Sequence, residues 1–315
     1  MCADWRAKGG EMAVMAREDL AQRLRDRVRG RVLSGEPMAR HTSFKIGGPA
    51  DLVVIPDDPN DLKTALAFAR SEGLPVLVLG GGSNTLVRDG GIRGMVILLE
   101  RFQELARQAT GLTAGAGVRI SRLLAFCVKQ GLTGLEFLSG IPGTVGGAVH
   151  GNAGAWGGAT SDRVVRVHVI TEDGDDMILG REMIPFAYRF CGLPRGAVIV
   201  RAAFDLEPGD PAAIRQRISR WLTRRSVEQP VEFRSAGSIF RNPVGDHAGR
   251  LVDAAGLKGA CVGGAQISEK HGNFFVNLGG ARAADVLALV ELARTRVKAT
   301  SGVDLELEIK VVGED

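Results

Sequence analysis

Two glycine-rich segments constrain this chain more than any other feature. The first, Gly80-Gly81-Gly82-Ser83-Asn84, directly follows the apolar run PVLVL. The second has glycine at positions 140, 143, 146, 147, 151, 154, 157 and 158. Glycine makes up 43 of 315 residues, about 14% where about 7% is usual. Because glycine adopts conformations closed to other residues and lets a ligand approach closely, we expect tight turns or ligand contacts in both segments.

Length and composition predict an ordinary globular protein of about two domains. Hydrophobic residues make up 45% of the chain and charged residues 24%, which excludes a disordered chain. The net charge of +4 suits an anionic small molecule as well as a polyanion and selects neither.

Neither targeting nor cysteine chemistry is indicated. The first thirty residues lack the apolar core of a signal peptide, and no later run approaches the ~18 apolar residues of a membrane span. We therefore expect a cytoplasmic protein without membrane contact. The cysteines, at positions 2, 127, 191 and 261, have no paired spacing, so we expect free thiols and no metal site.

Hydrophobic periodicity predicts a mixture of helices and strands. DLVVIP predicts a buried strand that Pro56 stops, followed by a helix that Asn60 caps and Gly73 ends. The segment LELEIKVV alternates like a terminal strand. Later helices are predicted by three apolar stripes: Ile120, Leu123, Leu124 and Cys127; Ile214, Ile218, Trp221 and Leu222, with Asp210 as cap and Pro211 first; and Val286, Leu289, Val290, Ala293 and Val297. The pattern indicates an α/β or α+β protein.

The glycine loops favour a nucleotide ligand. A GGGSN loop after a strand exposes backbone N–H groups that can bind a pyrophosphate, although a tight turn explains one such loop equally simply. Two loops could hold the two halves of an extended dinucleotide. The run GAGVRI lacks the last glycine of the Rossmann fingerprint, and no G-x-x-x-x-G-K-[ST] motif occurs, so the sequence points to another dinucleotide-binding fold.

Seven strings carry a specific resemblance. In order they are TSFKIGGPADLVV, LGGGSNTLVRDGG, GLEFLSGIPGTVGGAVHGNAGAWGG, AGSIFRNP, AGRLVDAAGLKG, GGAQISEKHGNFFVN and LELEIKVVG. Spanning about residues 40–313, they resemble the UDP-N-acetylenolpyruvoylglucosamine reductases, flavoenzymes that make UDP-N-acetylmuramate for peptidoglycan, and hence for cell-wall synthesis, cell shape and division.

The resemblance implies an α+β fold with two domains. A FAD-binding domain of the vanillyl-alcohol-oxidase type, made of two subdomains, would precede a smaller α/β substrate-binding domain. With PGDP at 208–211 as the clearest break, we expect an extension over 1–35, the FAD domain over 36–207, the substrate domain over 208–303, and a terminal strand with the catalytic glutamate over 304–315.

The resemblance also implies non-covalent FAD and NADPH as the hydride donor. Gly80, Gly81, Gly82, Ser83 and Asn84 would bind the pyrophosphate. The rest of the dinucleotide and the isoalloxazine would contact Ile141, Pro142, Gly143, Thr144, Gly147, Ala148, Asn152 and Gly154.

Three residues match the family's catalytic positions. Arg189 would bind the enolpyruvyl carboxylate, and Ser238 would donate a proton to the carbon next to it. A surface arginine and a turn serine are the alternative interpretations. Periodicity alone does not choose between Glu306 and Glu308; the family position selects Glu308, whose pKa burial would raise.

The expected substrate is UDP-N-acetylglucosamine enolpyruvate. Asn242, Arg225, Arg241 and Tyr188 are the candidates for binding its UDP moiety. Five arginines between 215 and 225 could suggest nucleic acid, but without interleaved aromatics a solvated helix face is the better interpretation. We expect no nucleic-acid partner and a monomer.

This chain departs from the family pattern in three places. Cys191 stands where the family often has serine after Tyr-Arg-x, and His150-Gly151 replaces an apolar pair. Tyr188 is the only tyrosine, which favours the shorter form of the family, without the tyrosine-bearing substrate loop. The alternatives are a flavin oxidase of the same fold and a nucleotide-binding protein without catalysis.

Overall fold

The computed structural model describes residues 10–315, with side chains from residue 15. Residues 1–9 of the predicted extension, including Cys2, lie outside this range. Across the described residues the helices are α1 (Gly10–Arg25), α2 (Pro59–Ser71), α3 (Ile120–Gln130), α4 (Val145–His150), α5 (Pro211–Glu228), α6 (Ala248–Ala254) and α7 (Ala283–Ser301). Short 3₁₀ turns occupy Met38–Arg40, Glu136–Leu138, Thr160–Asp162 and Arg181–Met183.

Strands provide most of the remaining regular structure. In chain order they are β1 (Arg31–Pro37), β2 (Pro49–Ile55), β3 (Val76–Leu79), β4 (Thr85–Val87), β5 (Ile92–Leu98), β6 (Leu105–Gln108), β7 (Gly111–Gly115), β8 (Leu132–Thr133), β9 (Gly154–Ala155), β10 (Gly158–Ala159), β11 (Val164–Ile170), β12 (Asp176–Gly180), β13 (Phe186–Ala187), β14 (Phe190–Cys191), β15 (Val198–Asp205), β16 (Glu207–Pro208), β17 (Arg234–Ser238), β18 (Cys261–Val262), β19 (Ala265–Ile267), β20 (Phe274–Asn277) and β21 (Lys310–Val312).

The chain divides into two compact units that interleave along the sequence. Unit 1 comprises residues up to 36, 50–80 and 93–221, and unit 2 comprises 37–49, 81–92 and 222–315. The predicted boundaries after 35, 207 and 303 cut the chain into contiguous pieces and stay a prediction. The compact units differ from them because two short early segments group with the C-terminal part of the chain.

Unit 1 is built on two sheets. One has the strand order β1-β2-β5-β3, with β3 parallel to β5, and the other has the order β12-β11-β15-β7-β6, with antiparallel pairing. Apolar side chains of both sheets, such as Leu52 and Val167, belong to one buried cluster with α3 residues such as Leu123. These two sheets agree with a FAD-binding domain of two subdomains.

Unit 2 is built on the antiparallel sheet β17-β20-β19-β18, against which α7 packs. The last strand, β21, pairs in parallel with β4, so that the end of the chain returns to the segment after the first glycine loop. Asp89 caps α7 from outside the helix, since its carboxylate accepts hydrogen bonds from the N–H groups of Ala283 (2.9 Å) and Ala284 (3.0 Å).

Local patterns predicted several elements correctly. The stripes predicted on α3 and α7 are buried at every position. Asp210 caps α5, because its carboxylate accepts from the N–H groups of Ala212 and Ala213 at 3.2 and 3.1 Å. Gly73 follows the end of α2 with a φ of +65°. Within residues 10–315, no helix combines the length and apolarity needed to cross a membrane.

Three local predictions are wrong in detail. The cap of α2 is Asp58 and not Asn60, because the Asp58 carboxylate accepts from the next two free N–H groups. On α5 only Ile214 of the predicted stripe is fully buried, and Leu222 is 46% exposed. The terminal strand is restricted to β21, preceded by an isolated bridge between Leu307 and Phe240.

Asp61 is a buried anchor of unit 1, and its removal should be costly. Its carboxylate accepts from the backbone N–H groups of Gly30 (2.7 Å), Arg29 (3.1 Å) and Asp57 (3.1 Å). We expect Asp61→Ala to lower the free energy of unfolding by about 3 kcal/mol, because three partly buried donors lose their one buried acceptor group. Urea unfolding measures this. The exposed Asp19→Ala is the matched control, and equal small effects of both variants would contradict the prediction.

Candidate active site

The two glycine-rich segments meet in unit 1. A Cβ atom on Gly80 would lie 2.8 Å from Thr144 Oγ1 and 3.9 Å from the backbone N of Gly147. The start of the first segment therefore lies against the start of α4 in the second. This is the arrangement that a single ligand contacting both segments requires.

Local anchoring explains how α4 presents this surface. The N–H groups of Val145 and Gly146 donate to the carbonyl oxygens of Val118 and Ala116, both at 2.9 Å. A Cβ on Gly146 would lie 2.9 Å from the Ala116 Cβ, so packing requires glycine there. At Gly147 the only atom within 4 Å of a Cβ would be Thr144 Oγ1, at 3.7 Å. The space over Gly147 is open, as a bound nucleotide would need, and the residues fit a dinucleotide such as FAD.

The rest of the first segment packs within unit 2. Gly82 has a φ of +59°, and a Cβ there would collide with the carbonyl oxygen of His41. The Gly82 carbonyl accepts from the Ser43 N–H at 3.1 Å, and the Ser43 hydroxyl donates to the Ser235 carbonyl at 2.6 Å. The loop is thereby tied to β17, the strand that ends with Ser238.

Three predicted residues come together in unit 2 through the backbone of Glu308. The Glu308 N–H donates to the Ile239 carbonyl at 2.8 Å, next to Ser238. The Asn84 amide donates to the Glu308 carbonyl at 3.1 Å. Glu308 is half-buried, whereas Glu306 is exposed, with its carboxylate 4.0 Å from the Arg241 guanidinium. The backbone of Glu308 thus connects Asn84 of the first glycine segment to the residue that follows Ser238.

The strand that carries Ser238 is held by Asn273, a residue that sequence reasoning missed. The Phe240 N–H donates to the Asn273 side-chain oxygen at 2.9 Å, and the Asn273 amide donates to the Phe240 carbonyl at 2.8 Å. The Ile239 N–H donates to the Asn273 carbonyl, also at 2.9 Å. The asparagine that begins the run NFFVN, next to three apolar residues, was the available signal, because a buried amide there needs backbone partners.

Arg189 lies at a strained position in unit 1. It is the second residue of the two-residue turn between β13 and β14 and has a φ of +55°. Its guanidinium lies 5.0 Å from the centroid of the Tyr188 ring and makes a long hydrogen bond, of 3.4 Å, to the Gly154 carbonyl. A non-glycine residue in this conformation is a recognised mark of functional positions.

Asn152 ties the second glycine segment to the same hairpin. Its side-chain amide donates to the Ala187 carbonyl at 3.0 Å, and its side-chain oxygen accepts from the Ser161 N–H at 3.0 Å. Asn152 is buried and has a φ of +40°. The predicted cofactor residues Asn152 and Gly154 therefore both contact the hairpin that carries Arg189.

The cysteine that departs from the family pattern is a buried neutral thiol. Burial raises the pKa of Cys191 to about 11 and that of Cys127 to about 12. Neither sulfur is ionised at neutral pH, so Cys191 replaces a hydroxyl by a poor hydrogen-bonding group.

The predicted substrate residues are distributed over both units. Tyr188 belongs to unit 1 and is 56% exposed. Arg225, Arg241 and Asn242 belong to unit 2. The Asn242 side-chain oxygen accepts from the Ala248 N–H at 3.1 Å, at the start of α6, which fixes its amide group.

One of the arginines on α5 combines an exposed side chain with a buried partner. Arg217 donates to the buried Glu136 carboxylate from Nε at 3.1 Å and from Nη2 at 2.8 Å. Burial opposes ionisation of Glu136, but hydrogen bonds from Thr133 and Arg217 outweigh it and lower the Glu136 pKa. The Arg217 side chain is nevertheless 44% exposed, in agreement with a solvated helix face that also has one partner far away in sequence.

Comparisons with known proteins agree with this architecture. Residues 50–179 match the model of a FAD binding domain, and residues 229–312 match that of the C-terminal domain of UDP-N-acetylenolpyruvoylglucosamine reductase. Over 299 residues the chain is 50% identical to the UDP-N-acetylenolpyruvoylglucosamine reductase of Geobacter metallireducens, covering 95% of this chain and 99% of that one. The corresponding protein of Geobacter sulfurreducens is also 50% identical, with 94% and 99% covered.

A solved structure gives the same result. The crystal structure of the UDP-N-acetylenolpyruvylglucosamine reductase from Thermus caldophilus superposes with a TM-score of 0.77 at 39% identity, covering 90% of this chain and 98% of that one. The fold, the approach of the two glycine-rich segments and the domain matches together define an oxidoreductase with a FAD-binding domain. The chain belongs to the UDP-N-acetylenolpyruvoylglucosamine reductase family. The predicted family, fold class and FAD cofactor are confirmed, and the flavin-oxidase alternative is not favoured.

His271 makes the stability of unit 2 depend on pH. Its Nδ1 accepts from the Asn273 N–H at 3.1 Å, and burial lowers its pKa from the usual 6.5. Below about pH 6.5 the unfolded chain therefore binds more protons than the folded one, and this contribution to stability falls as the pH falls. Urea unfolding from about pH 7.5 to about pH 5 should show a smaller loss of stability for His271→Gln than for the unsubstituted protein. Parallel pH profiles would contradict the assignment.

Proposed function

We propose that this chain reduces UDP-N-acetylglucosamine enolpyruvate to UDP-N-acetylmuramate, with FAD and NADPH, through Arg189, Ser238 and Glu308. The observation that carries the residue assignment is the backbone of Glu308, which is hydrogen-bonded to the segment beside Ser238 and to Asn84 of the first glycine loop. Family membership supports the reaction, and this local geometry supports the residues.

We assign the cofactor to the two glycine segments. The residues that would hold FAD are Gly80, Gly81, Gly82, Ser83, Asn84, Ile141, Pro142, Gly143, Thr144, Gly147, Ala148, Asn152 and Gly154. The open space over Gly147 and the approach of Gly80 to Thr144 support this assignment. Bound FAD supplies hydride transfer, from NADPH to the enolpyruvyl double bond.

Arg189 acts on the substrate carboxylate in this proposal. A hydride added to one alkene carbon leaves negative charge on the other, delocalised into the carboxylate. A guanidinium stabilises that charge with two parallel hydrogen bonds, more strongly than it stabilises the neutral alkene. The positive φ of Arg189 supports a role that required its position to be fixed before substrate arrives.

Ser238 donates the proton that completes the reduction. The carbon next to the carboxylate is a strong base once hydride has arrived, so a hydroxyl group held at hydrogen-bond distance suffices as an acid. The side-chain bonds of Asn273 to the Phe240 backbone fix the strand beyond Ser238. Glu308 would polarise the carboxylate or the protonating group, since its backbone is bonded next to Ser238.

The UDP moiety would be bound by Asn242, Arg225, Arg241 and Tyr188. The fixed orientation of the Asn242 side chain supports a role in recognition, because its oxygen is already used by Ala248 and its amide is left to point at an acceptor. We further propose a cytoplasmic monomer that serves cell-wall synthesis, and with it cell shape and division. Its substrate and NADPH are both charged small molecules of that compartment.

Replacing Ser238 should separate the two halves of the reaction. We expect Ser238→Ala to leave flavin reduction by NADPH nearly unchanged and to slow flavin reoxidation by the enolpyruvyl substrate by about 10²- to 10⁴-fold, the usual contribution of a positioned acid. Stopped-flow absorbance of the flavin measures both rates, with Ser235→Ala as the control on the same strand. Equal losses in both half-reactions would refute the role of Ser238.

A glycine pair on α4 should separate folding from cofactor binding. We expect Gly146→Ala to destabilise the protein, because its Cβ would lie 2.9 Å from the Ala116 Cβ. Gly147→Ala should leave the apoprotein at least as stable as before, because alanine favours a helix, and should weaken FAD binding at least tenfold, about 1.4 kcal/mol. Thermal unfolding of the apoprotein and FAD titration test this. Unchanged FAD affinity of Gly147→Ala would contradict the cofactor assignment.

A further inference from the structure

Two tryptophan rings in unit 1 stack on one another outside the residues assigned so far. The indole rings of Trp156 and Trp221 have centroids 4.6 Å apart and planes inclined by 10°. Trp156 lies in the second glycine segment and Trp221 on α5. A stacked pair of this kind restrains both rings more strongly than simple burial does.

Trp156 occupies a position that disfavours tryptophan. It forms with Gly157 the two-residue turn of the hairpin β9–β10, since Ala155 pairs with Gly158. The φ angles of Trp156 and Gly157 are +56° and +84°, the signs of a type I′ turn, where Asn-Gly and Gly-Gly are preferred. The backbone of Trp156 is therefore strained, and something outside the turn must hold it.

Two aromatic side chains contact the hairpin. Phe137 packs so closely that a Cβ on Gly158 would lie 2.8 Å from its ring. The second is Trp221, whose helix is fixed one turn earlier by the ion pair of Arg217 with the buried Glu136. α5 thus presents the Trp221 ring from an anchored base.

The same hairpin contacts Arg189. Its first strand begins with Gly154, whose carbonyl accepts the 3.4 Å hydrogen bond from Arg189 Nη1. One residue, Ala155, separates Gly154 from the strained Trp156. A rotation of the turn would move this carbonyl, which is an acceptor that links the Arg189 guanidinium to the second glycine segment.

We propose that Trp221 is a positioning residue for Arg189. Its ring holds Trp156 in the left-handed turn conformation, the turn fixes the Gly154 carbonyl, and this carbonyl orients the guanidinium that stabilises charge on the substrate. The inference rests on the proposed function of Arg189. It assigns to an aromatic residue remote from the reacting atoms a role in the oxidative half-reaction only.

The test uses the FAD-loaded full chain and the same two half-reactions. We expect Trp221→Ala to slow flavin reoxidation by the enolpyruvyl substrate about 10- to 100-fold, the scale of a small misplacement of a catalytic group, with flavin reduction by NADPH unchanged. Trp221→Phe, which keeps a stacking ring, should stay within about threefold of the unsubstituted protein. Leu222→Ala, at the exposed neighbour on α5, is the control. An unchanged reoxidation rate of Trp221→Ala would overturn the proposal.

A rescue variant separates positioning from general destabilisation. Trp156→Asn creates the preferred Asn-Gly turn and removes the need for a stack, so Trp156→Asn combined with Trp221→Ala should recover most of the reoxidation rate. In an Arg189→Ala background, Trp221→Ala should have no further effect. Absence of rescue, or a full additional loss without Arg189, would overturn the proposal. Failure of the proposed function itself looks different, because the unsubstituted enzyme would then not be reoxidised by the substrate at all.

Discussion

The backbone of Glu308 is the connection on which the candidate site in unit 2 depends. Its N–H is bonded to the Ile239 carbonyl at 2.8 Å, and its carbonyl accepts from the Asn84 amide at 3.1 Å. Backbone hydrogen bonds are directional, so fixing the two peptide groups that flank the Glu308 Cα atom fixes where its side chain begins. The C-terminal segment therefore connects two segments of unit 2 that lie more than sixty residues apart along the chain.

In unit 1, strained turns fix the positions of the candidate site residues. Three of the four non-glycine residues with positive φ in the described chain, Asn152, Trp156 and Arg189, lie in two loops that contact each other. Each such residue costs on the order of 1 kcal/mol or more, and each has a side-chain contact that offsets the cost: an amide hydrogen bond, an aromatic stack or a cation–π contact. Because three strained residues lie in these two loops, we infer that the exact positions of their side chains matter more for function than the stability of the loops.

Sequence patterns predicted what neighbouring residues decide and failed where distant residues decide. The stripe on α7 was complete because a 3.6-residue period and one buried face suffice to define it. The stripe on α5 was not, since Trp221 stacks on Trp156 and Leu222 is exposed, and no local period reveals a partner so far away in sequence. The interleaving of the two units was not predicted for the same reason. β4 belongs to unit 2 because it pairs with β21, more than two hundred residues later in the chain. Family strings selected the candidate site residues, whereas the side chain that holds the strand beside Ser238, that of Asn273, was found only from the structure.

The glycines show how fold and function can be separated within one motif. Gly146 and Gly147 are neighbours in sequence and in α4, yet only Gly146 has a packing reason, the methyl group of Ala116. The fold would accept alanine at Gly147, and alanine would favour the helix. Glycine at this position makes α4 less stable than alanine would. We infer that a bound ligand, and not a contact within the protein, is the reason for glycine there. A ligand phosphate or ring lying directly on the backbone would require it, and for this reason the open position at Gly147 says more about function than the packed position beside it.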